Sequence, residues 1–318
     1  MLQASNLTRL NHFRGTLPFF AIAVIAGWLC AAFFYEADIF WQDTGFFFGA
    51  SLVVCFWGLW RSRLGRMHHL HYRDNAAIGI ARLGVIGSVI WCGYVLFNHA
   101  DPEIVGIWAV LYAAMAFAAI KLFGQFGAEW FGPRLRIDIY ERKNLAAGTF
   151  VGAFTFSTGL IFGGAMWGEM EGESLEYGWL FASLPGYEDG WWITPWFFIM
   201  GWAILFFTMR FWFRREGLDF RTRLVRERNL ADAQAASFFC IACAITIAYA
   251  VQGDYLGFWD SLLGFSIIAL PILAHELLRP ATPETRRRTG EGWIYIVMAL
   301  VGIITIPWFG RLIGLTGL

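Results

Sequence analysis

Long runs of apolar residues alternate with short polar segments along the chain. A helix needs about 20 apolar residues to cross the hydrocarbon core of a bilayer. Runs of about this length occur at residues 16–35, 44–60, 76–97, 104–123, 145–167, 193–209, 230–251, 258–278 and 293–316. The pattern therefore predicts an all-α fold, a polytopic transmembrane helical bundle with about nine spans.

Composition and the placement of charge support this interpretation. The chain is 58% hydrophobic and only 15% charged, unlike an ordinary soluble domain. All but two of its 24 Lys and Arg residues lie in alternate polar segments, namely 9–14, 61–75, 121–143, 210–228 and 279–291. Cytoplasmic loops are enriched in Lys and Arg. We therefore expect a multi-pass protein with a cytoplasmic N-terminus and a periplasmic C-terminus.

Three predicted spans begin alike, with an Asn that follows a basic segment: Asn75, Asn144 and Asn229. Asn is a favoured N-cap because its side-chain oxygen accepts a hydrogen bond from an amide of the first turn. Each of these helices is followed by a span that returns to the cytoplasm, so the hairpins are predicted to be parallel repeats. The predicted organisation is an N-terminal pair of helices (1–71), three hairpin repeats (72–140, 141–226 and 227–279) and a C-terminal helix (280–318).

The stretch from Arg134 to Gly164 pairs a basic linker ending in Asn with a glycine-rich helix, and Arg221 to Ala231 and Arg73 to Ala77 repeat its central part. This pattern, over about residues 70–280, resembles the domain of unknown function 350 family, the YjfL-like bacterial inner-membrane proteins. Where that family has Gly before the Asn, this chain has Asp74, Lys143 and Arg228. The resemblance implies a bacterial inner membrane and a fold of helical hairpins, and it implies no established activity.

One basic residue, Arg82, lies inside a predicted span. It is about 10 Å into the helix that starts after Asn75, and a charge at this depth is usually paired or exposed to a wet cavity. The candidate partner is Asp232 in the first turn of the helix after Asn229, with Gln234 nearby. The sequence leaves open whether these residues form a structural ion pair or belong to a gate or ion site.

The fifth predicted span carries a face of small residues, and its members at helical spacing are Gly148, Gly152, Thr155, Gly159 and Gly163. Small residues at this spacing let a neighbouring helix approach closely, and close packing is the favoured interpretation for the four glycines. The alternative is a pore lined by hydroxyl groups, for which Thr155 and Ser157 are the candidates.

Dense arginine marks two of the predicted cytoplasmic segments, and the clusters are Arg214 and Arg215, then Arg286, Arg287 and Arg288. Basic clusters beside a span attract anionic lipid headgroups, so membrane lipids are the expected partner, with an acidic cytoplasmic protein as the alternative. Nucleic acid is not expected, because the formal net charge is zero. No metal or cofactor is expected either, since His68, His69 and His71 have no accompanying Cys.

The sequence carries no P-loop, catalytic triad, zinc-protease motif or dinucleotide fingerprint, so an enzyme is not expected. No Asp or Glu falls in the middle third of a predicted span, where ion-coupled carriers commonly place one. The favoured hypothesis is an inner-membrane scaffold or a subunit of a membrane assembly, working with other membrane subunits or a second copy of this chain. The alternative is a channel or carrier for a small ion or solute.

Overall fold

A computed structural model describes residues 75–100, 104, 107–168, 193–217, 220–251 and 291–312. The predicted spans at 16–35, 44–60 and 258–278 lie outside these residues, as do the histidines at 68–71, the loop 169–192 and the arginines at 286–288. Every regular element in the described part is helical, in agreement with the all-α expectation. Five of these helices are long and apolar enough to cross a membrane, so the predicted number of nine is not established.

The described α-helices are α1 (Ala76–Asn98), α2 (Ile107–Ala119), α3 (Leu145–Ala165), α4 (Ile193–Arg215), α5 (Phe220–Val225), α6 (Leu230–Ala250) and α7 (Glu291–Leu312). Two π-helices, in which the backbone hydrogen bonds span five residues, join them: π1 (Ile120–Phe126) and π2 (Leu135–Glu141). A short 3-10 turn, Glu129–Phe131, separates the two.

The predicted bounds of two spans are too short. The span predicted at 104–123 continues through π1, so Lys121, which the sequence assigns to a cytoplasmic segment, lies inside the apolar stretch Trp108–Glu129. Its ammonium donates to Gln125 Oε1 at 3.0 Å. Because the charge has this partner one turn away, the helix continues beyond Lys121. The span predicted at 193–209 likewise extends to Arg215, which places Arg214 and Arg215 in the last turn of α4.

Helices α1, α3 and α6 lie side by side, with α3 in the middle. Near their starts, a Cβ atom added to Gly148 of α3 would lie 2.5 Å from the carbonyl oxygen of Ala77 in α1. Beyond their far ends, the Gly168 amide donates to the His99 carbonyl at 2.7 Å. The two helices are therefore parallel. Helix α7 packs against α6.

Helix α3 is enclosed by the helices around it. Most of α3 and α6 is buried, whereas α1 and α4 leave much of their surface exposed. Helix α3 also contacts π1, where a Cβ on Gly124 would lie 3.1 Å from the Thr155 Cα. The small face predicted for this span is thus enclosed by neighbouring helices.

Candidate functional site

The three asparagines cap the helices that follow them. The side-chain oxygen of Asn75 accepts from the Ile78 amide at 3.3 Å, and that of Asn144 accepts from the Ala147 amide at 3.2 Å. Asn229 accepts from the Ala231 amide at 3.1 Å and from the Asp232 amide at 3.4 Å. All three start their helix in the way that an N-cap requires.

Two of these asparagines also reach into the segment that precedes the next Asn. The Asn75 amide nitrogen donates to the Ile139 carbonyl at 2.8 Å. The Asn144 amide nitrogen donates to the carbonyls of Leu224 and Val225, both at 3.1 Å. Ile139 precedes Asn144 by the same number of residues as Leu224 precedes Asn229. We call this bond from an N-cap to the following linker helix the asparagine clasp.

The linker helices end in a way that presents these carbonyls. The residue before each downstream Asn is left-handed, with φ 51° at Lys143 and φ 56° at Arg228, and such a residue commonly terminates a helix. The chain then folds back, so that the backbone N–H of Asn144 donates to the Asp138 carbonyl at 2.8 Å and the backbone N–H of Asn229 donates to the Arg223 carbonyl at 3.0 Å. The two linkers share this geometry although one is a π-helix and the other an α-helix.

Sequence reasoning finds the caps and misses the clasps. An N-cap is a local feature, readable from an Asn at a helix start. The acceptors of the clasps lie at least 64 residues further along the chain, and a backbone carbonyl has no residue signature. The left-handed residues Lys143 and Arg228 give no sequence signal either, because neither is a glycine.

Asp232 has a different partner from the one that the sequence suggests. Its carboxylate is fully buried and accepts from Arg223 Nε of α5 at 2.8 Å. The Arg223 guanidinium also lies 4.0 Å from a Glu216 carboxylate oxygen. The predicted pairing of Asp232 with Arg82 is wrong. Arg82 occupies an exposed position on α1, and the guanidinium that binds Asp232 is that of Arg223. Only Oδ2 of Asp232 is bonded, since Oδ1 is buried without a hydrogen-bond partner.

The linker of π2 contains a second buried carboxylate, at the position that corresponds to Arg223. Asp138 Oδ2 accepts from the Arg134 amide at 2.7 Å, and Asp138 Oδ1 lies 3.3 Å from the Arg142 guanidinium. Nothing in the sequence distinguishes Asp138, because it lies among other charged residues in a linker. Its contacts are local and hold π2 in shape.

The remaining polar candidates lie apart from this site. Gln234 is exposed on α6. Arg82 is exposed on α1 and lies close enough to Lys121 for the two positive charges to interact. Arg214 is exposed in the last turn of α4, where a positive charge is favourable beside the helix dipole.

The four glycines predicted for helix packing all face α1. A Cβ on Gly152 would lie 2.7 Å from the Ile80 carbonyl oxygen, and one on Gly148 would meet Ala77. Further along, Gly159 lies against Ser88 and Gly163 against Trp91. A side chain at Gly148, Gly152 or Gly159 would meet the backbone of α1, and one at Gly163 would meet the Trp91 ring.

The two hydroxyl candidates are also buried between helices. The Thr155 hydroxyl donates to the Val151 carbonyl at 2.7 Å. The backbone carbonyl of Thr155 accepts from Ser88 Oγ at 3.0 Å. The Ser157 hydroxyl accepts from the Cys240 thiol of α6 at 3.3 Å. Both side chains therefore serve contacts within α3 or with its neighbours.

No protein-family model, curated protein or solved structure matches this chain. Within the described ranges, no three His, Cys, Asp or Glu residues are grouped so that they could hold a metal ion.

Proposed function

We propose that this chain is a multi-pass membrane protein of a bacterial inner membrane that acts as a scaffold or as a subunit of a membrane assembly. Support for the membrane comes from the outward faces of the helices. Large apolar side chains are exposed along α1, α4 and α7, among them Leu83, Ile90, Phe97, Ile199, Phe207, Val297 and Ile304. Apolar surface of this extent is unfavourable in water and suits lipid.

The observation that carries the scaffold role is the filled small-residue face of α3. A pore lining requires small or hydroxyl side chains that border open space. Here the glycines meet α1, and the hydroxyls of Thr155 and Ser157 are bonded within the packed helices. Close contacts of this kind favour a rigid row of helices over a permeation path.

The proposal includes the tandem hairpin repeats and the family resemblance. The equivalent clasps of Asn75 and Asn144, and the left-handed residues before Asn144 and Asn229, support a repeated unit. Glycine adopts the left-handed conformation without steric cost, and this agrees with the Gly that the resembling family carries at these positions. In this proposal the N-terminus is cytoplasmic, the C-terminus is periplasmic, and the partners are membrane lipids and other membrane subunits or a second copy.

A channel or carrier for a small ion is the second candidate function, and Lys121 is the observation that favours it. Charged residues within spans often mark ion pathways, and this one lies inside an apolar helix. No carboxylate accompanies it on α1, α3 or the 107–126 segment.

Reconstitution into sealed vesicles separates the two functions. For a scaffold, we expect potassium, chloride and spermidine to leak from protein-containing vesicles no faster than from protein-free ones. Extracted from its membrane in mild detergent, the protein should migrate as part of a larger assembly of fixed size. Selective flux that is lost in Thr155→Leu and retained in Gly79→Ala, at a position open to its surroundings, would overturn the scaffold role.

A further inference from the structure

The 3-10 turn Glu129–Phe131 ends the apolar stretch that contains π1 and packs against the last turns of α4. The centre of the Phe131 ring lies 5.3 Å from that of Phe206 and 5.2 Å from that of Phe213. Residues three and four apart are neighbours on a helix surface, so Arg210 lies between these two phenylalanines on the same face of α4. Arg210 is exposed, and it is therefore level with the turn.

A second arginine, Arg221 of α5, lies against the residue that follows the turn. A Cβ atom added to Gly132 would lie 2.7 Å from Arg221 Cγ and 2.8 Å from Arg221 Nε. Gly132 also has φ 129°, a conformation that favours glycine. The glycine therefore makes room for the stem of Arg221, which remains exposed.

Neither arginine has a carboxylate partner in the described part of the chain. Other linker arginines do, and their pairs are Arg136–Glu141, Arg142–Asp138 and Arg223–Asp232. Arg136 stands eight residues before Asn144, as Arg221 stands eight residues before Asn229. The same position thus carries a paired arginine in one linker and an arginine without a carboxylate in the other.

An exposed tryptophan stands beside these two arginines. Trp130 is 70% exposed, and the centre of its ring lies 5.9 Å from that of Phe206. Tryptophan is enriched at the level of lipid headgroups, and a guanidinium binds phosphate through two parallel hydrogen bonds. On α4, Phe207 is 68% exposed one turn before Arg210 is reached, so apolar surface suited to an acyl chain adjoins the charges.

We propose that Trp130, Arg210 and Arg221 form a binding site for the phosphate of an anionic glycerophospholipid in the leaflet at this end of the helices. The site rests on the proposed membrane location and names one lipid class for it. Arg210 and Arg221 hold the phosphate from α4 and α5, and Trp130 lies at the level of the glycerol. The lipid thereby fastens the 3-10 turn to both helices.

Thermal unfolding of the full chain in an uncharged detergent tests the site, with dioleoyl phosphatidylglycerol compared with dioleoyl phosphatidylcholine. We expect a saturable rise in Tm with phosphatidylglycerol, as for any ligand that binds only the folded state, and a smaller rise with the zwitterionic lipid. In Arg210→Gln or Arg221→Gln, the half-saturating mole fraction of phosphatidylglycerol should increase at least about fivefold, the change expected for one basic residue at an anionic surface.

Arg136→Gln is the matched control, because it removes the same charge from the corresponding position of the other linker. It should leave the response to phosphatidylglycerol unchanged, and an equal loss in this variant would mean that overall charge, not a site, attracts the lipid. If Arg221→Gln does not fold, the exposed Arg210→Gln carries the test.

Three further outcomes would overturn the site. One is an equal rise in Tm with the two lipids, and another is an equal rise with soluble glycerol phosphate, which would identify a free phosphate ester as the ligand. The third is release of the protein from vesicles by a carbonate wash, which would also contradict the proposed function. Protein that stays in the vesicles but does not prefer phosphatidylglycerol would contradict the lipid site alone.

Discussion

At the scale of single residues, Asn144 connects two distant parts of the chain with one small side chain. Its oxygen caps α3, and its amide nitrogen binds the end of α5. The residue is fully buried, so water cannot replace either bond. Removing a partner from buried polar groups costs more than the hydrogen bonds themselves contribute.

Replacing Asn144 with Ala should lower the free energy of unfolding by about 2–4 kcal/mol, because the cap is lost and the carbonyls of buried Leu224 and half-buried Val225 lose their donor. Asn144→Asp keeps the cap oxygen and places a carboxylate against those carbonyls, so it should be at least as destabilising. Unfolding monitored by circular dichroism in detergent measures both. Asn98→Ala, at an exposed Asn that bonds only within its own helix, should change little. A small effect of Asn144→Asp would contradict a role for the clasp donor.

The buried Arg223–Asp232 pair leads to a second prediction at this scale. Asp232→Ala should destabilise the protein by about 3–5 kcal/mol, because it leaves a partly buried guanidinium without its nearest carboxylate. The double variant with Arg223→Ala should be less destabilised than the sum of the single variants, and a double-mutant cycle measures this coupling. Additive effects would show that the pair contributes nothing. Arg136→Ala, in a pair exposed on both sides, serves as the control.

At the scale of elements, α3 depends on the absence of side chains along one face. Gly152→Ala should destabilise the α1–α3 pair by about 1–3 kcal/mol, since the new methyl group would meet the Ile80 carbonyl and backbone cannot yield as a side chain does. Gly79→Ala is the matched control in α1, where an added Cβ contacts nothing, and it should leave Tm unchanged or raise it. Equal losses in the two variants would mean that helix propensity, not packing, decides the result.

Helix bounds were largely readable from the sequence, and the exceptions have physical causes. An Asn N-cap is a local signal, so the starts of α1, α3 and α6 agree with the prediction. The span predicted at 104–123 is too short because Lys121 is counted with the cytoplasmic segment 121–143, whereas a long side chain with a partner one turn away is tolerated inside a helix.

Relations between elements were harder to predict. The choice of Arg82 as partner for Asp232 assumed that corresponding positions on two helices face each other. Asp232 instead bonds to α5 immediately before its own helix, and α3 stands between α1 and α6. Side-chain spacing tells which face is small but not which helix covers it, so the packing of Gly152 on Ile80 required the structure.

At the scale of the whole molecule, α6 runs in the direction of α1 and α3, because Ser157 bonds to Cys240 and Gly164 further along α3 meets Ala248 further along α6. The helix row therefore has two distinct ends. Asn98 is exposed at one end, and Glu227 is exposed beside the Asn229 cap at the other. With the proposed topology, and in a chain whose native cysteines are replaced, an impermeant maleimide should label Asn98→Cys from outside in intact cells. Glu227→Cys should react only in inverted vesicles. Labelling of both from one side would contradict a membrane-spanning row.

The asparagine clasp also sets an order of assembly during synthesis. A chain emerging from the ribosome presents Asn75 to the bilayer long before Ile139 has been made, and Asn144 before Leu224. Each clasp Asn therefore holds a side-chain amide without its acceptor until the linker helix before the next Asn has been made. A nascent chain that stalls before that linker helix leaves this donor unsatisfied, so the clasp closes only after the two helices between have been synthesised.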